Sequence, residues 1–190
     1  WTHLLKQAEG ERLERAHDRV RRLVTQLERE IQVQRALLDA EQGRLHPRNV
    51  QVTPPKLMAE LRAMFAEGQA ALGRAFVVDD DCGGIELETD PVLLGRVLIN
   101  MLKNAFEATP AGGLVRLWCA PESDGQGLSF HVNNPGVIPP EVAAHIFQRS
   151  FTTKADAGRG LGTYSMQLPG ERYLGGQVGF TSNAEQGTTF

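Results

Sequence analysis

From Glu11 to about Gly43 the chain runs without proline, and its apolar residues Leu13, Ala16, Val20, Leu23, Leu27, Ile31 and Leu38 recur at helical spacing. Leu13, Val20 and Leu27 step by seven, and so do Val24, Ile31 and Leu38. Such a stripe drifts around the helix and predicts a coiled-coil or bundle element that needs a partner helix. Gly43 supplies the helix stop, and His46-Pro47 followed by Thr53-Pro54-Pro55 makes a stiff extended connector. The boundary is therefore placed between a long helix, residues 1–46, and a second domain, residues 47–190.

Beyond the connector, Pro55 to Leu72 predicts an amphipathic helix with Leu57, Leu61, Met64 and Phe65 on one face. Phe76 to Val78 predicts a strand, Asp79 to Gly84 a turn and Glu86 to Glu88 a short strand. Asp90-Pro91 opens a helix running to about Ala108, by a cap residue followed by proline in the first turn. Leu114 to Cys119 and Leu128 to Asn133 read as neighbouring strands, Pro139 to Phe147 as a short helix, and Gln177 to Thr181 as a strand. Tyr164 to Leu174 reads as a helix stopped by Gly175-Gly176, with Pro169 opposing it. The elements alternate without a strict βαβ rhythm. That predicts an α+β two-layer sandwich, a mixed sheet covered on one face by helices, rather than a doubly wound parallel sheet.

The chain has 190 residues, 41% of them hydrophobic, enough for one compact domain burying roughly 70% of its unfolded surface, plus an appendage. A net charge of -3 with acids and bases interleaved excludes the basic footprint that nucleic acid demands. Cys82 and Cys119 have neither C-x-x-C spacing nor a histidine cluster, so they read as isolated thiols, without disulfide or zinc, in a reducing cytoplasm. No apolar run approaches the roughly 20 residues that span a bilayer, so this piece is expected to be soluble and without membrane contact. Because it starts at Trp1 and stops at Phe190 within strand-like sequence, it reads as a fragment of a longer protein, with room for a membrane anchor elsewhere.

Candidate chemistry gathers in two places. Asn100 and Asn104 are four apart on the helix from Asp90, with Lys103 and Glu107 in the same two turns, opposite Val97, Leu98, Met101, Leu102 and Ala105. Two asparagines mid-helix cost propensity and need polar partners if buried; alone such a pair is more often ordinary surface, and it becomes a candidate site only with the segments that follow. The second place is glycine-rich. Asn133-Asn134-Pro135-Gly136 comes off a strand, and Gly158-Arg159-Gly160-Leu161-Gly162-Thr163 leads into a helix. Glycines there let backbone N–H groups approach an anion, and the helix N-terminus adds a favourable dipole. No Gly-Lys-Ser/Thr follows, so the segment is not a P-loop.

These segments together resemble the ATP-binding catalytic domain of sensor histidine kinases, the Bergerat or GHKL fold. Asn100 to Ala108 is similar to the family's asparagine box, Asn134-Pro135-Gly136 to its first glycine box and Phe147 to Lys154 to its phenylalanine box. Gly158 to Thr163 resembles the second glycine box, and Gly187 to Phe190 the last glycine-threonine box. The form Asn104-Ala105-Phe106-Glu107-Ala108 is similar to the nitrogen-regulation branch. The resemblance implies a kinase that transfers the ATP γ-phosphoryl group to a histidine, for relay to an aspartate on a response-regulator receiver domain. It implies a homodimer through the N-terminal helix, with the phosphotransfer helix supplied in cis or in trans.

It also implies ATP and Mg²⁺ as cofactors. Asn104 would ligate the metal, with Asn100 nearby in its shell and Lys103 facing the phosphates as a point charge. Gly158, Arg159, Gly160, Leu161, Gly162 and Thr163 would cradle the phosphates, and Thr152, Thr153 and Lys154 would belong to a short mobile lid. Asn134, Gly136 and Thr188 would hold the base side.

Two positions depart from the family pattern. The first glycine box ordinarily carries Asp to read the adenine amino group; here Asn134 stands, or Asn133 if the box is aligned by its Ile138-Pro139 end. The strand alternation favours Asn134. An amide oxygen still accepts from the amino group but lacks the strength of a charged acceptor. His17-Asp18 resembles the start of the family's acceptor motif, yet Arg19 to Leu23 lacks its Asn/Thr-Pro continuation. One uninterrupted helix also leaves no hairpin, so the helix reads as the hairpin's second member, without the acceptor. His3, His46, His131 and His145 read as structural. The alternative to a kinase is a degenerate nucleotide-binding or interaction module. Mismatch-repair and chaperone ATPases of the same fold fit less well, because Glu stands in them where Asn100 stands here.

Overall fold

A computed structural model of the chain describes residues 34–82, 84–122, 127–149 and 162–190, with residues 17, 20, 21, 24 and 31 of the N-terminal region. The chain divides into two compact units, Trp1–Leu45 and His46–Phe190.

In the first unit the described residues up to Glu41 are helical. The helix stops where Gly43 adopts φ 69°, a left-handed conformation open to glycine without steric cost. Behind it, the Arg44 amide donates to the Asp39 carbonyl and its guanidinium to the Asp39 carboxylate, both at 2.8 Å. Val20, Val24, Ile31 and Leu38 are exposed; Leu13, Ala16, Leu23 and Leu27 of the same stripe lie outside the described residues.

The second unit runs β1 (Val50–Val52), α1 (Pro54–Ala71), β2 (Ala75–Asp79), β3 (Leu87–Thr89), α2 (Pro91–Glu107), β4 (Leu114–Pro121) and β5 (Leu128–Asn134). It continues through α3 (Pro140–Ala143), α4 (Tyr164–Arg172), β6 (Thr181–Asn183) and β7 (Gly187–Thr189). β1 and β3 form an antiparallel pair, and the other five strands form one sheet in the order β2-β4-β5-β7-β6. Only β2 and β4 run parallel, so the sheet is mixed.

Alternation along β4 sets the two sheet faces. Val115, Leu117 and Cys119 are buried, joining Val132 of β5 in a core with Met58 and Leu61 of α1 and Leu98, Leu102 and Phe106 of α2. Phe106 stacks on Phe65 at 5.5 Å and meets Phe76 edge-on at 5.3 Å, so one aromatic cluster joins both helices to the sheet. On the opposite face, Trp118 stacks on His131 with centroids 4.9 Å apart, and the Arg116 guanidinium lies 6.0 Å from the Trp118 ring. Burial lowers the His131 pKa below its usual value, against a smaller opposing pull from Glu122. The ring is therefore neutral at pH 7.

Helix α2 begins at a multiple anchor. The Asp90 Oδ1 accepts from the Val92 and Leu93 amides at 2.9 and 3.0 Å, and Oδ2 accepts from the Arg48 amide at 2.7 Å. One carboxylate thus caps the helix and ties down the connector entering the domain.

Three expectations need correction. Cys82 and Cys119 are joined as a disulfide with Cα atoms 5.3 Å apart, so they are not isolated thiols, and the spacing argument for a reducing compartment loses its basis. The turn after β2 brings Cys82 inward, within 3.6 Å of the Met58 sulfur, to meet a residue 37 positions away in sequence. The helix read from Pro139 to Phe147 closes after Pro140–Ala143. The strand read at Gln177 to Thr181 is displaced to Thr181–Asn183, where the Asn183 side chain accepts from the amides of Glu185 and Gln186 and fixes the hairpin turn. Helix α4 accommodates Pro169 in its short length, and that residue's carbonyl accepts from the Tyr173 and Leu174 amides.

Replacing Asp90 by Ala removes all three hydrogen bonds and should cost about 1–2 kcal/mol, seen as a lower urea midpoint at unchanged m-value; an unshifted midpoint would refute the anchor. Gly187 has φ 74°, and a Cβ there would overlap the Asn134 carbonyl and lie 2.8 Å from the Pro135 Cα. Gly187→Ala should therefore destabilise by about 2–4 kcal/mol through backbone displacement, and a thermal midpoint equal to wild type would contradict that packing.

Candidate functional site

The site grows from the edge of α2 where its buried and solvent faces meet. Asn100 and Asn104 are half-buried there, whereas Lys103 and Glu107 are exposed. The four residues read as one polar face therefore divide, with the carboxamides turned toward α4. Asn100 Nδ2 donates to the Ser165 hydroxyl at 2.9 Å, and that hydroxyl donates to the Gly162 carbonyl at 2.9 Å. Asn104 Nδ2 approaches the Met166 sulfur at 3.9 Å.

Proton accounting fixes how both amides point. The Ser165 proton is spent on Gly162, so its oxygen can only accept from Asn100, and a thioether sulfur can only accept. Both NH₂ ends are therefore engaged by α4, Asn100 on Ser165 and Asn104 beside Met166. Gly162 closes the arrangement, since a Cβ there would lie 3.0 Å from Asn104 Oδ1; only glycine leaves that oxygen uncrowded.

The second part lies where β5 pairs with β7. Asn134, 2% exposed, stands opposite Thr188 in the ladder. Thr188 Oγ1 donates to the Gly136 carbonyl at 2.7 Å, takes the Ser182 hydroxyl proton at 2.9 Å, and Ser182 in turn accepts from the Ile138 amide at 2.8 Å. This relay of one amide and two hydroxyls pins the loop 136–138 to the sheet. A Cβ on Gly136 would sit 2.8 Å from Asn134 Nδ2 and 3.1 Å from the Ala108 carbonyl, so glycine is needed for the loop to approach the end of α2. Asn134 Nδ2 is buried without a hydrogen-bond partner. Asn133 faces the other way, its Nδ2 donating to Gln186 O, Thr188 O and Thr189 Oγ1 at 2.9, 3.1 and 3.0 Å.

Thr163 donates from its hydroxyl to the Ile146 carbonyl, tying the start of α4 to the turn after α3. Thr152, Thr153, Lys154, Gly158, Arg159, Gly160 and Leu161 lie outside the described residues. Ser165, Met166 and Ser182 were not among the residues expected from sequence. Ser165 and Met166 follow Gly162 within one turn of helix, a spacing that marks them only once Gly162 is known to face Asn104.

The donor set is two neutral amide oxygens. Among the described residues no group of three or more His, Cys, Asp or Glu side chains could hold a metal. A cation here would rest on amide oxygens and on the oxygens of its own ligand, which suits Mg²⁺ carried by phosphates.

Residues 89–190 match the family described as histidine kinase-, DNA gyrase B-, and HSP90-like ATPase. Sensor protein VanSB of Enterococcus faecalis is 36% identical over 107 residues, covering 56% of this chain and 23% of that protein. The chain spans less than a quarter of the length of each curated relative it matches. The catalytic domain of histidine kinase ThkA, in a nucleotide-free form, superposes with a TM-score of 0.67 at 28% identity, covering 75% of this chain and 92% of that one. Histidine kinase ThkA in complex with response regulator protein TrrA gives 0.68 at 24% identity, covering 88% and 47%. No described helix is long and apolar enough to cross a membrane. The chain thus belongs to the histidine kinase-, DNA gyrase B- and HSP90-like ATPase family, as an ATP-binding domain of the type found in sensor histidine kinases.

Proposed function

We propose that the domain binds ATP with Mg²⁺ and donates the γ-phosphoryl group to a histidine, as the catalytic part of a two-component signalling kinase. The meeting of the Asn100 and Asn104 carboxamides with the start of α4, Asn100 through Ser165 and Asn104 beside Met166 and Gly162, carries the reading. Bound Mg²⁺ would neutralise charge on the phosphates. Asn104 is the assigned ligand, and Asn100 stands beside it in the same polarity. Lys103, exposed one residue away, is assigned a positive charge toward the phosphates, and residues 158–162 are assigned as their cradle. Thr152, Thr153 and Lys154 are assigned to the lid, and Asn134, Gly136 and Thr188 to the base side. Phosphoryl transfer asks mainly for position and charge compensation, which these groups supply.

Residues 1–46 are assigned as the second helix of a dimerisation hairpin and 47–190 as the catalytic domain. Exposed Val24, Ile31 and Leu38 at seven-residue spacing support a partner helix and a homodimer. His17 is exposed on that helix but lacks the acceptor motif, so the accepting histidine is supplied by another helix. A response-regulator receiver is assigned as the next acceptor, a partnering supported by the complex of histidine kinase ThkA with response regulator protein TrrA, and the cytoplasm is the assigned compartment because ATP is the donor. The nitrogen-regulation branch remains the assigned subfamily on Asn104 to Ala108 alone.

Calorimetric titration with a non-hydrolysable ATP analogue tests the site. Wild type should bind more tightly with Mg²⁺ than without, and Asn104→Ala should weaken the Mg²⁺-loaded binding at least tenfold, about 1.4 kcal/mol, while scarcely changing metal-free binding. Equal Mg²⁺-loaded affinities for the two proteins would refute the metal assignment.

A further inference from the structure

We propose that Asn134 makes the base pocket ambidextrous, so that the site takes 6-oxopurine nucleoside triphosphates nearly as well as ATP. The inference rests on the reading of Asn134 as the base-facing residue and adds to it the class of base accepted.

Asn134 is 2% exposed and its Nδ2 is buried with no hydrogen-bond partner. A buried donor left unpaired is costly, and a bound ligand that brings an acceptor to it removes the cost. A carboxylate in this place could only accept. A carboxamide sets one acceptor beside one donor. The pairing edge of adenine is the complement of that pair, with a 6-amino donor beside the N1 acceptor, so Oδ1 takes the amino proton and Nδ2 donates to N1.

A 6-oxopurine carries the reverse pattern, an O6 acceptor beside an N1–H donor. Turning the Asn134 amide by half a rotation exchanges oxygen and nitrogen at almost constant shape and matches it. A fixed protein partner normally forbids such a turn. Here no hydrogen bond holds the Nδ2 end of the amide. The protons nearby are already committed, because the relay from Ile138 through Ser182 and Thr188 ends on the Gly136 carbonyl. The neighbour against Nδ2 is Gly136, which brings no side chain to discriminate between the two orientations. Asp at the same position would face O6 with acceptor against acceptor and exclude the oxo base.

Inosine triphosphate is the suitable probe, because it presents the 6-oxo edge without the extra 2-amino group of guanine. Affinities of ATP and ITP are measured with Mg²⁺ on wild type and on Asn134→Asp, with far-UV circular dichroism checking the fold of each. Wild type should bind ITP within tenfold of ATP, and Asn134→Asp should widen the ratio of ATP to ITP affinity by at least a further tenfold. Wild-type preference for ATP of more than tenfold overturns the proposal while leaving the ATP site standing, and this arm needs no variant. An ATP to ITP ratio unchanged in a folded Asn134→Asp overturns it too, by showing that another group reads the base. Binding of neither nucleotide to wild type overturns the ATP-binding reading itself and this inference with it.

Discussion

Helix α2 must bury Val97, Leu98, Met101, Leu102, Ala105 and Phe106 against the sheet while keeping two carboxamides at the margin of that buried face. Each large apolar side chain removed from water contributes about 1.5–3 kcal/mol, so the rotation of the helix about its axis is set by the core. Asn100 and Asn104 then have no choice of position. Asp90 fixes the other coordinate, the height of the helix, by holding its first amides and the Arg48 amide together. The polar edge is thus placed by packing and a cap, before any ligand acts on it.

Helix α4 does for the orientation of the amides what the core does for their position. By offering only acceptors, an already donating Ser165 hydroxyl and a Met166 sulfur, it turns both NH₂ ends inward. In the proposed site the oxygen ends, which take no part in these contacts, would meet a ligand with little rearrangement, a form of preorganisation. At the base end the same economy holds, since Thr188, Ser182 and Ile138 exhaust their donors on one another and on Gly136. Beside them the Asn134 Nδ2 stays buried without a hydrogen-bond partner. At Gly136, Gly162 and Gly187 a Cβ would crowd these asparagines, at the Asn134 Nδ2, the Asn104 oxygen and the Asn134 carbonyl respectively.

Much of this was legible in the residues because the strongest local signals agreed with the packing. Asp90-Pro91 marked the start of α2, its apolar period predicted the buried face, and Leu114 to Cys119 with Leu128 to Asn133 read as the neighbouring strands they are. What escaped depends on contacts between distant segments. Cys82 meets Cys119 across 37 residues. Val50–Val52 reads as connector because three residues beside prolines carry no period, and they become a strand only through pairing with Leu87–Thr89. Gln177 to Thr181 alternates like a strand but its last residue alone enters the sheet, since the Asn183 turn sets the register of the final hairpin. Ser165 carried no signal of its own; its part follows from the tertiary meeting of Gly162 with Asn100 and Asn104.

The central claim is that Ser165 orients Asn100 for the ligand, and a double-mutant cycle measures that most directly. Affinity for ATP with Mg²⁺ is determined for wild type, Asn100→Ala, Ser165→Ala and the double variant, with folding checked by urea midpoint. If Ser165 acts through Asn100, the double variant binds no more weakly than Asn100→Ala alone, giving a coupling of about 1 kcal/mol. Losses that simply add, with a coupling near zero in folded proteins, would contradict the account.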